Sequence, residues 1–106
     1  MTLEQLQTTI KQEVGVFLYF SGEFCNVCHA LRPKVKELFD AEFPQLKQIY
    51  LDAEEHREIA LHYQVLSVPT MIVFMDGREF AREGSSVSLH QLREKLTRPY
   101  TMMTEA

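Results

Sequence analysis

Val16-Phe17-Leu18-Tyr19-Phe20-Ser21-Gly22-Glu23-Phe24-Cys25-Asn26-Val27-Cys28-His29 decides the fold, because it runs from a strand through a turn into the mouth of a helix. Val16 to Phe20 is short, β-branched and aromatic, and apolar at every position, which is the pattern of a central strand buried on both faces. Ser21-Gly22 ends it. Beyond the turn, Cys28, Leu31, Val35, Leu38 and Phe39 fall on one stripe at helical spacing, so a long helix is expected from about Asn26 to Phe43, with Pro33 inside it as a source of a kink. The two cysteines of the chain therefore sit at a strand-to-helix junction.

Working outward, Thr2 with Gln5 forms a capping box, and Leu3, Leu6 and Ile10 predict an opening amphipathic helix that ends near Glu13. Gln48 to Leu51 reads as a second strand. Glu54 to Tyr63 follows as a helix whose opening acids suit its positive end. Thr70 to Met75 is a third strand, and Asp76-Gly77 turns it into a fourth, Glu79 to Arg82, which Gly84 breaks. Ser88 with Gln91 forms another capping box, and Leu89, Leu92 and Leu96 predict a last helix ending before Pro99. The order is α-β-α-β-α-β-β-α, without repeats or linkers. Helix crossovers make the first two strands parallel and the hairpin makes an antiparallel pair, so the fold class is α/β with a mixed sheet covered by helices on both faces. Residues 1–99 are expected to form one domain. Residues 100–106, from Tyr100 to Ala106, lack periodicity and are expected to be a poorly ordered tail.

Composition narrows the function. With 11 Lys and Arg against 15 Asp and Glu, the net charge is −4, the wrong sign for a surface that gathers phosphates, so nucleic acid is not an expected partner. No apolar run approaches the roughly 20 residues that span a bilayer, so no membrane is expected either. The run from Val14 to Phe20 makes a poor signal peptide because an acidic, helical segment precedes it. The expected compartment is the cytoplasm, with the periplasm the alternative if a leader has been removed.

Cys25 and Cys28 are three positions apart, and a bridge between them would close a loop so short that it contributes only about 2 kcal/mol in the chain-entropy model. A chain that is 45% hydrophobic has little need of so weak a staple, so the pair points to chemistry. A thiol at a helix N-terminus faces free amides and the positive end of the helix dipole, both of which favour thiolate. Cys25 is thus the expected nucleophile. Cys28 begins the apolar stripe, so it should be buried and placed to resolve a mixed disulfide formed at Cys25.

Two rival chemistries use the same residues. Cys25-Asn26-Val27-Cys28-His29 also spells the attachment signature of c-type haem, but that group belongs to exported, largely helical proteins. Zinc needs four ligands, and beyond the cysteines only the scattered His29, His56, His62 and His90 are at hand, with no second CxxC. Neither a cofactor nor a metal is expected.

The Phe24-Cys25-Asn26-Val27-Cys28 motif after a buried strand, Pro33 in the following helix, and Ser67-Val68-Pro69-Thr70 entering the hairpin together resemble the thioredoxin family over nearly the whole chain. The resemblance implies thiol–disulfide exchange on protein disulfides, with client proteins and a reductase or dithiol donor as partners, no bound cofactor, and action as a monomer. It implies that Pro69 is cis and faces the cysteines, with Val68 and Thr70 offering backbone groups to an extended client. Phe24, Val27 and Val68 would form an apolar rim around Cys25. A non-catalytic adaptor or redox-sensing module on the same fold is the alternative.

The chain departs from the family pattern at several positions. Phe24 replaces the usual Trp, and Asn26-Val27 the usual Gly-Pro. Tyr19 stands where many members bury an acid, and Gln48 where its lysine partner is common. No strand precedes the first helix, so four strands are expected instead of five. With the customary acid gone, Tyr19, Glu23 and His29 are the candidates for tuning the thiols.

Overall fold

A computed structural model describes residues 1–105. Its elements are α1 (Leu3–Gln12), β1 (Gly15–Ser21), α2 (Asn26–Glu42), β2 (Lys47–Asp52), α3 (Arg57–His62), β3 (Thr70–Met75), β4 (Arg78–Glu83) and α4 (Leu89–Thr104). The four strands form one sheet in the order β2-β1-β3-β4. β1 lies parallel to β2 and antiparallel to β3, and β3 and β4 form an antiparallel hairpin.

The central place of β1 explains its composition. Successive side chains on a strand point to opposite faces. Phe17 and Tyr19 pack with Val35 and Phe39 of α2 and with Leu92 and Leu96 of α4. Val16, Leu18 and Phe20 pack on the other face with Leu6 and Ile10 of α1 and Ile59 of α3. Both faces are covered, so the strand has no polar side to show. Gly15 opens it because Leu46 and the Phe74 carbonyl approach closely; a Cβ there would stand 2.5 Å from Leu46 Cδ2 and 2.7 Å from Phe74 O.

Local chemistry sets the remaining ends. The Thr2 amide donates to Gln5 Oε1 at 2.8 Å and the Gln5 amide to Thr2 Oγ1 at 3.1 Å, which completes the capping box of α1. Asp76 and Gly77 take φ of 55° and 77°, the left-handed pair that a tight hairpin requires. α3 ends in a Schellman arrangement, with Gln64 at φ 56°, its amide donating to Leu61 O at 3.1 Å and the Val65 amide donating to Ala60 O at 2.8 Å.

Two boundaries differ from the sequence reading. α3 begins at Arg57, not Glu54, because Asp52 Oδ1 accepts the amides of Glu54 and Glu55 at 2.9 and 3.1 Å and holds that stretch in turns. The last helix does not stop before Pro99; α4 runs through it to Thr104. Tyr100 explains this. Its ring meets Phe43 edge-on at 5.1 Å and its hydroxyl accepts the Gln45 amide at 3.0 Å, so packing outweighs the one helical amide that Pro99 removes. The residues from Tyr100 to Thr104, expected to be a loose tail, are therefore helical, while Ala106 lies outside the described residues. No helix among the described residues is long and apolar enough to cross a membrane.

Candidate functional site

The site forms where the C-terminal end of β1 meets the start of α2 and the loop entering β3. Cys25 is the N-cap of α2 and has extended backbone, so its side chain lies against the first turn of the helix. Cys25 and Cys28 are joined in a disulfide with their Cα atoms 5.2 Å apart. The Cys28 amide donates to Cys25 Sγ at 3.2 Å. In the reduced state the same donor and the helix dipole would stabilise a thiolate on that sulfur. Cys28 is fully buried, whereas Cys25 is half-buried. A partner can reach Cys25 alone.

The third wall is the loop before β3. The Val68–Pro69 peptide bond is cis, and the Val68 carbonyl oxygen lies 3.9 Å from Cys25 Sγ. Gly22 closes the floor, where a Cβ would meet Val68 Cγ2 at 3.4 Å and Cys25 Cβ at 3.8 Å. Thr70 is buried and its hydroxyl donates to Ser67 O at 2.7 Å, so only its backbone could serve a client. Phe24 is 91% and Val27 51% exposed. Neither packs into the interior, and Val68 is half-buried.

The three tuning candidates part company. The hydroxyl of the fully buried Tyr19 donates to the Cys28 carbonyl at 2.7 Å. Burial raises its pKa above the ordinary 10, with the Arg32 guanidinium pulling the other way, so it stays protonated and acts as a clamp on the first turn of α2. His29 Nε2 donates to the Glu23 backbone carbonyl at 2.8 Å, which fixes its tautomer and ties the turn before Cys25 to the helix after it. Glu23 itself is exposed and contributes its carbonyl to that bond.

A polar chain that the sequence did not reveal lies on the β2 side of Tyr19. The Tyr50 hydroxyl donates to Gln48 Oε1 at 2.6 Å, and Gln48 Nε2 donates to Asp40 Oδ1 at 2.7 Å. Arg32 stands over the Tyr50 ring at 4.5 Å. Burial pushes the Tyr50 pKa up to about 12 against the pull of Arg32. Gln48 is thus spent on its neighbours. Among the described residues no three His, Cys, Asp or Glu side chains converge as a metal site would require.

The thioredoxin family model matches residues 1–98. The chain belongs to the thioredoxin family. Among its relatives, the thioredoxin-like protein YdfQ of Bacillus subtilis is 37% identical over 101 residues, covering 95% of this chain and 89% of the relative. The solved structure of Fasciola hepatica thioredoxin superposes with a TM-score of 0.73 at 30% identity, covering 91% of this chain and 89% of its own. Oxidised mitochondrial thioredoxin 3 of Saccharomyces cerevisiae reaches a TM-score of 0.79 at 24% identity, over 92% of this chain and 90% of its own, and speaks to the fold alone. With the cysteine pair in place, membership carries the activity: this thioredoxin relative is a thiol–disulfide oxidoreductase with a redox-active Cys25–Cys28 centre.

Proposed function

We propose that Cys25 attacks disulfides of client proteins and that Cys28 resolves the mixed disulfide. The observation that carries this division is the asymmetry of the pair. One cysteine is half-buried and its sulfur receives a helix amide at 3.2 Å, and the other is fully buried.

In the reducing direction, the Cys25 thiolate bonds to one sulfur of the client disulfide and the other leaves as a thiolate. Cys28 then loses its proton and attacks Cys25 Sγ, which forms the intramolecular disulfide and releases the second client thiolate. Two electrons pass to the client, and both client sulfurs end as thiols. A dithiol donor or reductase must then return two electrons and two protons to the pair. The rim of Phe24, Val27 and Val68 gives an unfolded client segment apolar contact, while the backbone beside Pro69, at Val68 and Thr70, offers it hydrogen bonds. A reducing compartment such as the cytoplasm suits this direction of exchange.

The division is tested by trapping. Cys28→Ser should accumulate covalent mixed disulfides with protein clients, resolved on non-reducing gels, and Cys25→Ser should not. Equal trapping by both variants would overturn the assignment. Absence of turnover on any protein disulfide, with the fold intact, would favour the adaptor reading.

A further inference from the structure

The edge strand β4 carries a charged pair on a face where simple alternation would not put it. Successive residues of a strand point to opposite faces, so Glu79 and Arg82, three positions apart, should point away from each other. An extra residue changes this. Val73 pairs with Ala81 but Phe74 pairs with Glu79, so Phe80 is a bulge, and Glu79 stands opposite Phe74 while Arg82 stands opposite Ile72. Ile72 and Phe74 both pack toward α1 and α3. Glu79 and Arg82 therefore share that face.

Arg82 Nε donates to Glu79 Oε2 at 3.1 Å and Nη2 donates to Oε1 at 2.8 Å, a forked pair that fixes the plane of the guanidinium. Being partly exposed, the pair contributes little to stability by itself. A third bond gives it another use. Arg82 Nη2 also donates to the Tyr63 carbonyl at 2.8 Å, and Tyr63 is the C-cap of α3, where carbonyls lose their helical partners. No backbone amide among the described residues reaches that oxygen. The next residue, Gln64, holds a left-handed conformation at φ 56° without being glycine, so the chain resists this turn unless its neighbours hold it.

The turn leads to the redox centre. After Gln64 the Val65 amide returns to Ala60 O at 2.8 Å, and the loop then runs to Val68, whose carbonyl lies 3.9 Å from Cys25 Sγ. The Thr70 hydroxyl pins the far end of the loop through Ser67 O at 2.7 Å. Arg82 pins the near end.

We propose that Arg82, braced by Glu79, is a positioning residue for the exchange reaction, holding the turn at Gln64 and through it the Val68 backbone that an extended client meets beside Cys25. The proposal rests on the exchange reading above. Because the hydrogen bonds of Arg82 go to Glu79 and Tyr63 and none goes to a cysteine, its influence falls on the placing of a peptide and not on the reactivity of the sulfurs.

The test compares the parent with Arg82→Gln, Gln64→Gly and the double variant. Each reduced protein reacts with a peptide whose single cysteine is joined in a disulfide to thionitrobenzoate, or with mercaptoethanol joined to the same group, which has no peptide backbone to place. In both reactions the Cys25 and Cys28 thiols become a disulfide, and the two sulfurs of the substrate leave as the peptide or mercaptoethanol thiol and the coloured thiolate. Arg82→Gln should lower the rate constant for the peptide about tenfold, the order of one hydrogen bond from a charged donor, and leave that for the small disulfide within about twofold of the parent. Hydrogen exchange at the Val65 amide should quicken with it. Glycine takes the left-handed turn at no steric cost, so Gln64→Gly should match the parent alone and restore both readouts in the double variant.

An Arg82→Gln variant that matches the parent with the peptide would overturn the positioning role and leave the exchange reading standing. So would equal losses with both substrates, an unchanged Val65 amide, or a double variant no faster than Arg82→Gln. Failure of the parent with the small disulfide would remove the exchange reading, and the positioning role with it.

Discussion

Tyr19→Phe isolates one bond behind the disulfide. It deletes a single oxygen from a fully buried side chain and with it the 2.7 Å hydrogen bond to the Cys28 carbonyl. The ring keeps its neighbours, Phe17 at 6.3 Å and Tyr50 at 5.5 Å between centroids, so the loss is confined to the hydroxyl. An internal hydrogen bond contributes about 1 kcal/mol net. The carbonyl is not orphaned, because it lies inside α2 and its helical partner remains, so about 1 kcal/mol is the expected destabilisation. For a domain near 100 residues that lowers Tm by about 4 to 8 °C. Urea and thermal unfolding of the oxidised parent and variant measure it. The second readout is the rate of mixed-disulfide resolution from about pH 6 to about pH 9. Burial holds the Tyr19 hydroxyl protonated across that range, so the variant should keep the parent's profile, with the rate rising as Cys28 deprotonates. A variant as stable as the parent would refute the clamp. A profile changed in shape would refute the claim that Tyr19 takes no part in proton transfer.

Gly15→Ala should destabilise by about 1 to 3 kcal/mol, as overpacking does, since its Cβ would sit 2.5 Å from Leu46 Cδ2 and 2.7 Å from backbone oxygen of the neighbouring strand; an unchanged urea midpoint would show that β1 can shift to admit it. Glu79 gives a pH test. Hydrogen bonds from Arg82 hold its pKa below the usual 4.5, with burial opposing, so its contribution to stability is present above about pH 4.5 and is lost as pH falls through the lowered value. The stability difference between parent and Glu79→Gln should therefore be greatest near neutrality and vanish in strong acid. It should also be small, because the pair is partly exposed, and a difference that grew on acidification would reverse the sign of the argument.

Element order was legible because each element carries its own local signal: the capping boxes at Thr2 and Ser88, the Asp76-Gly77 turn, and an apolar run too short for a helix at Val16 to Phe20. Effects that reach across the chain were not. Tyr100 finds Phe43 and Gln45 far away in sequence, so nothing near Pro99 announces that α4 continues. Gln64 adopts the conformation that glycine favours, and without glycine the end of α3 carries no marker. Phe24 shows the same limit at the site, because an aromatic residue in a turn is as consistent with a core as with the 91% exposure found.

The cysteine pair was the most readable part of the site, since an N-cap thiol and a thiol on the apolar stripe differ in exposure by the geometry of one helical turn. The substitutions at Tyr19 and Gln48 could also be seen in the sequence, but their consequence could not. The structure spends each of them, Tyr19 on the Cys28 carbonyl and Gln48 on Tyr50 and Asp40. A side chain fixed as a neutral donor, and another that cannot titrate, occupy the two positions where much of the family keeps an acid and a lysine. Neither can take the proton that Cys28 must lose. On the exchange reading proposed above, the base for that proton is therefore to be sought outside these two positions.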